Sequence, residues 1–208
     1  KYKMKFPLKK TKNIKEYFED YKNTLNKTLN SVNLKNLNKF SNVLENTILK
    51  GRNIFVCGNG GSAAIANHLV CDYIKLMRKN TSLKPKVISL SSNNELITAI
   101  SNDFSYDKIF SEQLEYLAKK DDLLILISSS GNSKNIVNAL RYCKINKIKT
   151  VGLSGFRGGY LSKKADINIH FNCENYGISE DSHHIIMHVA IQYMRQKYLQ
   201  TNIKKTIF

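Results

Sequence analysis

From about residue 51 onward the chain alternates short apolar runs with stretches of helical periodicity. The runs are Ile54-Phe55-Val56, Val87-Ile88-Ser89-Leu90, Leu123-Leu124-Ile125-Leu126-Ile127, Thr150-Val151-Gly152-Leu153 and Ile167-Asn168-Ile169-His170-Phe171. Between them the spacing of apolar residues predicts helices over 63–78, about 94–101, 107–118, 134–146 and 180–199. Strands apolar along nearly their whole length are buried on both faces. Alternation with helices then points to an α/β fold, a doubly wound and mainly parallel sheet. Ligands of such sheets bind beyond the carboxyl ends of the strands.

Ahead of this pattern, Asn13 to Lys50 reads as two helices, with Ile14, Phe18, Tyr21, Leu25 and Leu29 on one face of the first and a break at Ser31-Val32-Asn33. Their apolar faces need cover, from the α/β domain or from other subunits. Residues 1–12 are basic, contain Pro7, and are expected to form an arm. The organisation is therefore an arm over 1–12, helices over 13–50 and an α/β domain over 51–202, within a single structural domain.

Composition narrows the function classes. Hydrophobic residues make up 42% of the 208, enough for a core, and no run of 18 apolar residues marks a membrane span. The first residues lack the apolar centre and cleavage site of a signal peptide, so the expected location is cytoplasmic. Cys57, Cys71, Cys143 and Cys173 form no Cys-x-x-Cys pair and are expected to be reduced, with Cys57 and Cys71 in patterns that read as buried. The net charge is +17. Its lysines are scattered and no nucleic-acid-binding motif accompanies them, so the charge is read as a field that favours anionic substrates, not as a nucleic-acid surface.

Two turns carry candidate chemistry. Gly58-Asn59-Gly60-Gly61-Ser62 follows the first strand, and glycines there let backbone N–H groups and the next helix's positive end approach an anion. Ser128-Ser129-Ser130-Gly131-Asn132-Ser133 follows the strongest strand; it is either a second phosphate wall or a turn that Ser133 caps. Neither is a Walker loop or a Gly-x-Gly-x-x-Gly fingerprint, so no nucleotide cofactor is implied. Beyond the first turn, His68 and Asp72 share a helix face at i and i+4. Near the end, Glu180, Asp181, His183, His184 and His188 cluster, with Ser179 as the expected N-cap and the acids in the first turn. Two imidazoles, His68 and His188, and two carboxylates, Asp72 and Glu180, suit a divalent metal such as zinc or aldose–ketose proton transfer.

With Asn102-Asp103-Phe104, these motifs resemble the sugar-isomerase (SIS) domain family over roughly residues 13–199, and within it the phosphoheptose isomerases. The resemblance implies a five-stranded parallel, flavodoxin-like sheet and a homotetramer built through the N-terminal helices, with active sites at subunit interfaces. It implies conversion of sedoheptulose 7-phosphate to D-glycero-D-manno-heptose 7-phosphate, a precursor of surface polysaccharide. Asn59, Ser62, Ser128, Ser129, Ser130 and Ser133 would hold the phosphate, and Asn102 and Asp103 would face sugar hydroxyls. His68, Asp72, Glu180 and His188 would bind zinc, with Asp72, Glu180 and His188 as the catalytic groups. The chain departs from the pattern with Asp72 for Glu, Glu180 for Gln, Leu76 for Arg and Gly177 for Asp. Some relatives of this kind only sense a phosphosugar or bind a partner such as a replication initiator; the retained imidazoles and carboxylates favour an enzyme.

Overall fold

The computed structural model describes residues 4–208; the first three residues of the basic arm lie outside them. In chain order the elements are β1 (Met4–Lys5), α1 (Ile14–Asn30), α2 (Leu34–Leu49), β2 (Asn53–Gly58), α3 (Gly61–Asp72), a π-helical segment (Tyr73–Met77), β3 (Lys86–Ser89), α4 (Asn94–Asp103), α5 (Ser111–Leu117) and β4 (Leu123–Ser128). There follow α6 (Lys134–Ile145), β5 (Lys149–Ser154), α7 (Gly159–Lys164), β6 (Ile167–His170), β7 (Cys173–Glu174) and α8 (Tyr176–Lys197).

The run Leu123–Ser128 becomes the central strand, and every residue of it is buried. The main sheet has five strands in the order β3-β2-β4-β5-β6, all parallel. Because side chains alternate across a strand, β2 and β4 feed two cores. Ile54, Val56, Ile125 and Ile127 pack on one face with Phe40 and Leu44 of α2, Leu69 of α3 and Ile191 of α8. Phe55, Cys57, Leu124 and Leu126 pack on the other with Leu114 of α5, Ile136 and Leu140 of α6 and Leu161 of α7. The doubly wound arrangement follows from strands that are apolar on both sides.

The N-terminal helices divide their roles. α2 buries Phe40, Leu44 and Ile48 in the main core and so belongs to the α/β domain. α1 buries only Thr28 outright, lies along α8, and leaves Ile14 and Phe18 exposed. The arm is docked: Met4 and Lys5 pair with Cys173 and Glu174, and Phe6 is buried against the rings of Tyr17 and Tyr21.

Three sequence expectations are corrected. α8 begins at Tyr176, capped by Asn175, whose side chain accepts from Ile178 N at 2.9 Å. Ser179 is buried inside the helix and donates to the Cys173 carbonyl. Glu180 and Asp181 therefore stand in the second turn, beyond the reach of the dipole effect that a first-turn position would explain. The helix expected over 63–78 ends as an α-helix at Asp72 and continues as the π-helical segment. Cys71 is exposed, because the sheet-facing side of α3 is taken by Ile65, Ala66 and Leu69; Cys57 is buried as expected, and all four cysteines are unpaired. α7 and the short β1–β7 pair are too brief to leave a periodic signal.

Asp166 ties β5 to the start of β6. Its carboxylate accepts from the Thr150 N–H at 2.8 Å and the Thr150 hydroxyl at 2.7 Å, and it pairs with Lys144. Burial alone would raise its pKa, but Lys144 and the two Thr150 bonds outweigh burial and hold it below the usual carboxylate range. A depressed folded pKa contributes stability that is present above the unfolded-state pKa and lost as pH falls. Asp166→Asn is expected to cost about 2 kcal/mol at neutral pH. Chemical denaturation at several pH values should show the gap between variant and parent closing as the solution is acidified.

Candidate active site

β2 and β4 are parallel neighbours with Gly58 opposite Ile127, so the turns that follow them leave the sheet side by side. A Cβ at Gly58 would fall 2.6 Å from the Ser62 backbone, so only glycine lets the strand reverse directly into α3. Gly60 caps α3 and Ser133 caps α6, neither with a side-chain bond to the helix. Ser62 and Ala63 already donate to the Asn59 and Gly60 carbonyls and Ile136 to Asn135 Oδ1, so what the two helix starts offer an anion is chiefly their positive ends. They border a cavity of about 290 Å³ lined by Asn59, Gly60, Gly61, Ser62, Ser128, Ser129, Ser130, Ser133, Tyr176 and Glu180.

The hydroxyls of this cavity are available to donate. Ser128 Oγ accepts from Gly131 N and Ser130 Oγ accepts from Asn132 N, which leaves their O–H groups for a ligand. Ser129 Oγ is buried with no hydrogen-bond partner among the described residues. Among the described residues no lysine or arginine lines the cavity, so an anion there is met by dipoles and hydroxyls, and the charge of +17 acts as a surrounding field.

The turns are locked together. The side-chain amides of Asn59 and Asn135 exchange two hydrogen bonds of 2.9 Å, and Tyr106 donates to Asn59 Oδ1 at 3.0 Å. Asn135 and Tyr106 were not evident as site residues in the sequence; Asn135 had only its place just after the serine turn as a signal, and Tyr106, between α4 and α5, had none.

On the far side of Gly61, α3 presents His68 and buried Asp72, and α8 presents His184 and His188, each pair one helical turn apart. His68 Nε2 and His188 Nε2 are 3.2 Å apart, and Asp72 Oδ2 is 3.4 Å from the first and 3.3 Å from the second. Bonds of about 2.05 Å around a tetrahedral ion put donor atoms about 3.3 Å apart. The triangle already has that edge length, so these residues fit a divalent metal such as zinc. His184 joins the two other histidines with one ring nitrogen of each within 4.8 Å of the others. Burial first, then the neighbouring His188 and His68, lower its pKa against Asp72 and Asp181, and a neutral imidazole is the form that binds metal. The adjacent His183 is fully buried against Phe171; burial lowers its pKa to about 4 and it serves packing.

Glu180 is placed apart from that group. Its carboxylate lies over Gly61, where an added Cβ would come within 2.3 Å of Oε2, and it borders both the serine-lined cavity and the cleft lined by His68, Asp181 and His184. The reason is spacing: Glu180 is two turns from His188, about 12 Å along the helix, whereas His184 is one turn away. Burial and then the charge of Asp181 raise the Glu180 pKa. Asp181 is held by Tyr21 of α1, whose hydroxyl donates to Oδ2 at 2.6 Å. Gly177 leaves room for this contact, since a Cβ there would meet the Tyr21 hydroxyl at 3.0 Å. Asn102 and Asp103 are exposed at the end of α4, bonded to each other, and do not line the serine-lined cavity of this chain.

Comparison with known proteins identifies the family. The SIS domain family matches residues 16–155. A phosphoheptose isomerase of Aliarcobacter butzleri is 38% identical over 156 residues, covering 75% of this chain and 82% of that protein. One of Campylobacter concisus is 32% identical, covering 89% of this chain and 96% of that protein. Among solved structures, a phosphoheptose isomerase from Francisella tularensis superposes with a TM-score of 0.79 at 27% identity, covering 88% of this chain and 96% of that one. The matches span most of these relatives' length: the chain belongs to the SIS domain family and stands within it as a phosphosugar isomerase of the phosphoheptose isomerase group.

Proposed function

We propose that the protein interconverts sedoheptulose 7-phosphate and D-glycero-D-manno-heptose 7-phosphate. The observation that carries this reading is Glu180, a carboxylate bordering both the phosphate cavity and the histidine cleft. A sugar phosphate anchored by Ser62 and Ser128–Ser133 would extend its reacting end across Gly61 toward the histidines. Glu180 removes the proton from C1 of the ketose and returns it to C2 while a second proton passes from O1 to O2 through solvent, so the enediol forms and collapses with no external oxidant or reductant. A base with a raised pKa is well matched to that exchange near neutral pH. His68, Asp72 and His188 would hold a zinc ion, which would supply polarisation of the substrate's carbonyl oxygen.

The assembly reading is a homotetramer whose sites are completed at subunit interfaces. It is supported by exposed Ile14 and Phe18 on α1 and by exposed Phe104 and Tyr116 beside Asp103, which would let Asn102 and Asp103 face a neighbouring chain's sugar. Unpaired cysteines suit the cytoplasm, and no helix among the described residues is long and apolar enough to cross a membrane.

The direct test is zinc-supplemented protein with sedoheptulose 7-phosphate in deuterated water, followed by proton NMR. The aldose should accumulate with exchange at C1 and C2; binding without exchange would overturn the proposal in favour of a phosphosugar sensor. Glu180→Gln is expected to lower kcat about 10²- to 10⁴-fold with substrate affinity nearly unchanged. Asp181→Asn removes a negative charge beside Glu180 and so lowers its pKa. The acid limb of the kcat–pH profile should therefore move to lower pH, and an unmoved limb would exclude Glu180 as the titrating base.

A further inference from the structure

We propose that His184 is a ligand of the metal ion, so that this chain holds it with three imidazoles and the Asp72 carboxylate, leaving Glu180 outside the coordination set. This rests on the reading of the cluster as a metal centre. Four observations lead to it. The ring nitrogens of His68, His184 and His188 gather within 4.8 Å. The His184 ring lies 4.4 Å from that of His188 and 4.9 Å from that of His68, centroid to centroid. Among the described residues His184 Nε2 is buried without a hydrogen-bond partner, a state that buried polar atoms rarely keep unless something else satisfies them. Glu180, the other carboxylate on α8, is turned onto Gly61.

The geometry of α8 explains the choice. His184 and His188 are one turn apart and project from one face, about 6 Å from each other along the axis, whereas a residue two turns away must reach back about 12 Å. Asp72 is one methylene shorter than the glutamate expected from the resemblance, and it already lies against both Nε2 atoms. Three imidazoles and one carboxylate make a donor set that zinc accepts, and expansion to five ligands would leave a place for the substrate's carbonyl oxygen. Two ligands from α3 and two from α8 would also clamp these helices to each other. Glu180, relieved of coordination, keeps its carboxylate for proton transfer.

The test uses the full chain stripped with a chelator, then titrated with Zn²⁺ against a chromophoric competitor and with Co²⁺ by absorption spectroscopy. His184→Ala should weaken Zn²⁺ binding more than about 100-fold, beyond the loss caused by removing an outer partner of a ligand. His184→Cys should retain binding and add a thiolate-to-Co²⁺ charge-transfer band, which a residue that merely packs nearby cannot produce. Glu180→Gln should bind Zn²⁺ as the parent does. Circular dichroism of the metal-free variants reports folding; if His184→Ala does not fold, the His184→Cys spectrum decides. Parent-like affinity in His184→Ala with no charge-transfer band in His184→Cys would overturn the assignment while leaving the metal centre standing. Failure of the parent itself to bind Zn²⁺ or Co²⁺ would overturn the metal reading and this assignment with it.

Discussion

The site depends on one constraint: β2 and β4 are adjacent and parallel, in a register that sets Gly58 opposite Ile127. Adjacent parallel strands release their following turns at the same sheet edge, and the helices that begin there point their positive ends at a common space. The Asn59–Asn135 amide exchange then holds the two turns at a fixed separation. Without that lock, serines on separate turns could not form a single wall. Asn135 is buried, so losing its partner would leave polar atoms unsatisfied at about 1–3 kcal/mol.

The acid–base half of the site is organised by helix spacing. α3 and α8 meet so that pairs one turn apart, His68 with Asp72 and His184 with His188, face each other. Glu180 falls outside that meeting point and over a glycine, between anion cradle and imidazoles. On the proposed reading this arrangement would separate two duties, holding a cation with the imidazoles and Asp72 and moving a proton with Glu180. Tyr21 and Asp181 link this balance to α1, because the tyrosine fixes the charge that helps raise the Glu180 pKa.

What the sequence determined by itself was whatever repeats along the chain or is carried by local chemistry. Five apolar runs separated by helical spacings sufficed for the parallel α/β architecture, because burial on both faces leaves no polar period in a strand. The glycine and serine turns were legible because close anion approach demands those residue types at strand ends. His68 and Asp72 were legible as a pair because one helical turn relates them. Local reading failed where a signal was short or ambiguous: Ser179 looked like a cap, yet Asn175 takes that place four residues earlier.

Only the tertiary structure decided which distant residues meet. Asn135 faces Asn59, Tyr21 reaches Asp181, and His184 rather than Glu180 gathers with His68 and His188, none of which follows from periodicity. Contacts of this kind depend on the angle and offset at which α1, α3 and α8 pack. Those are set by side-chain volumes summed over the whole core, so no single segment carries them.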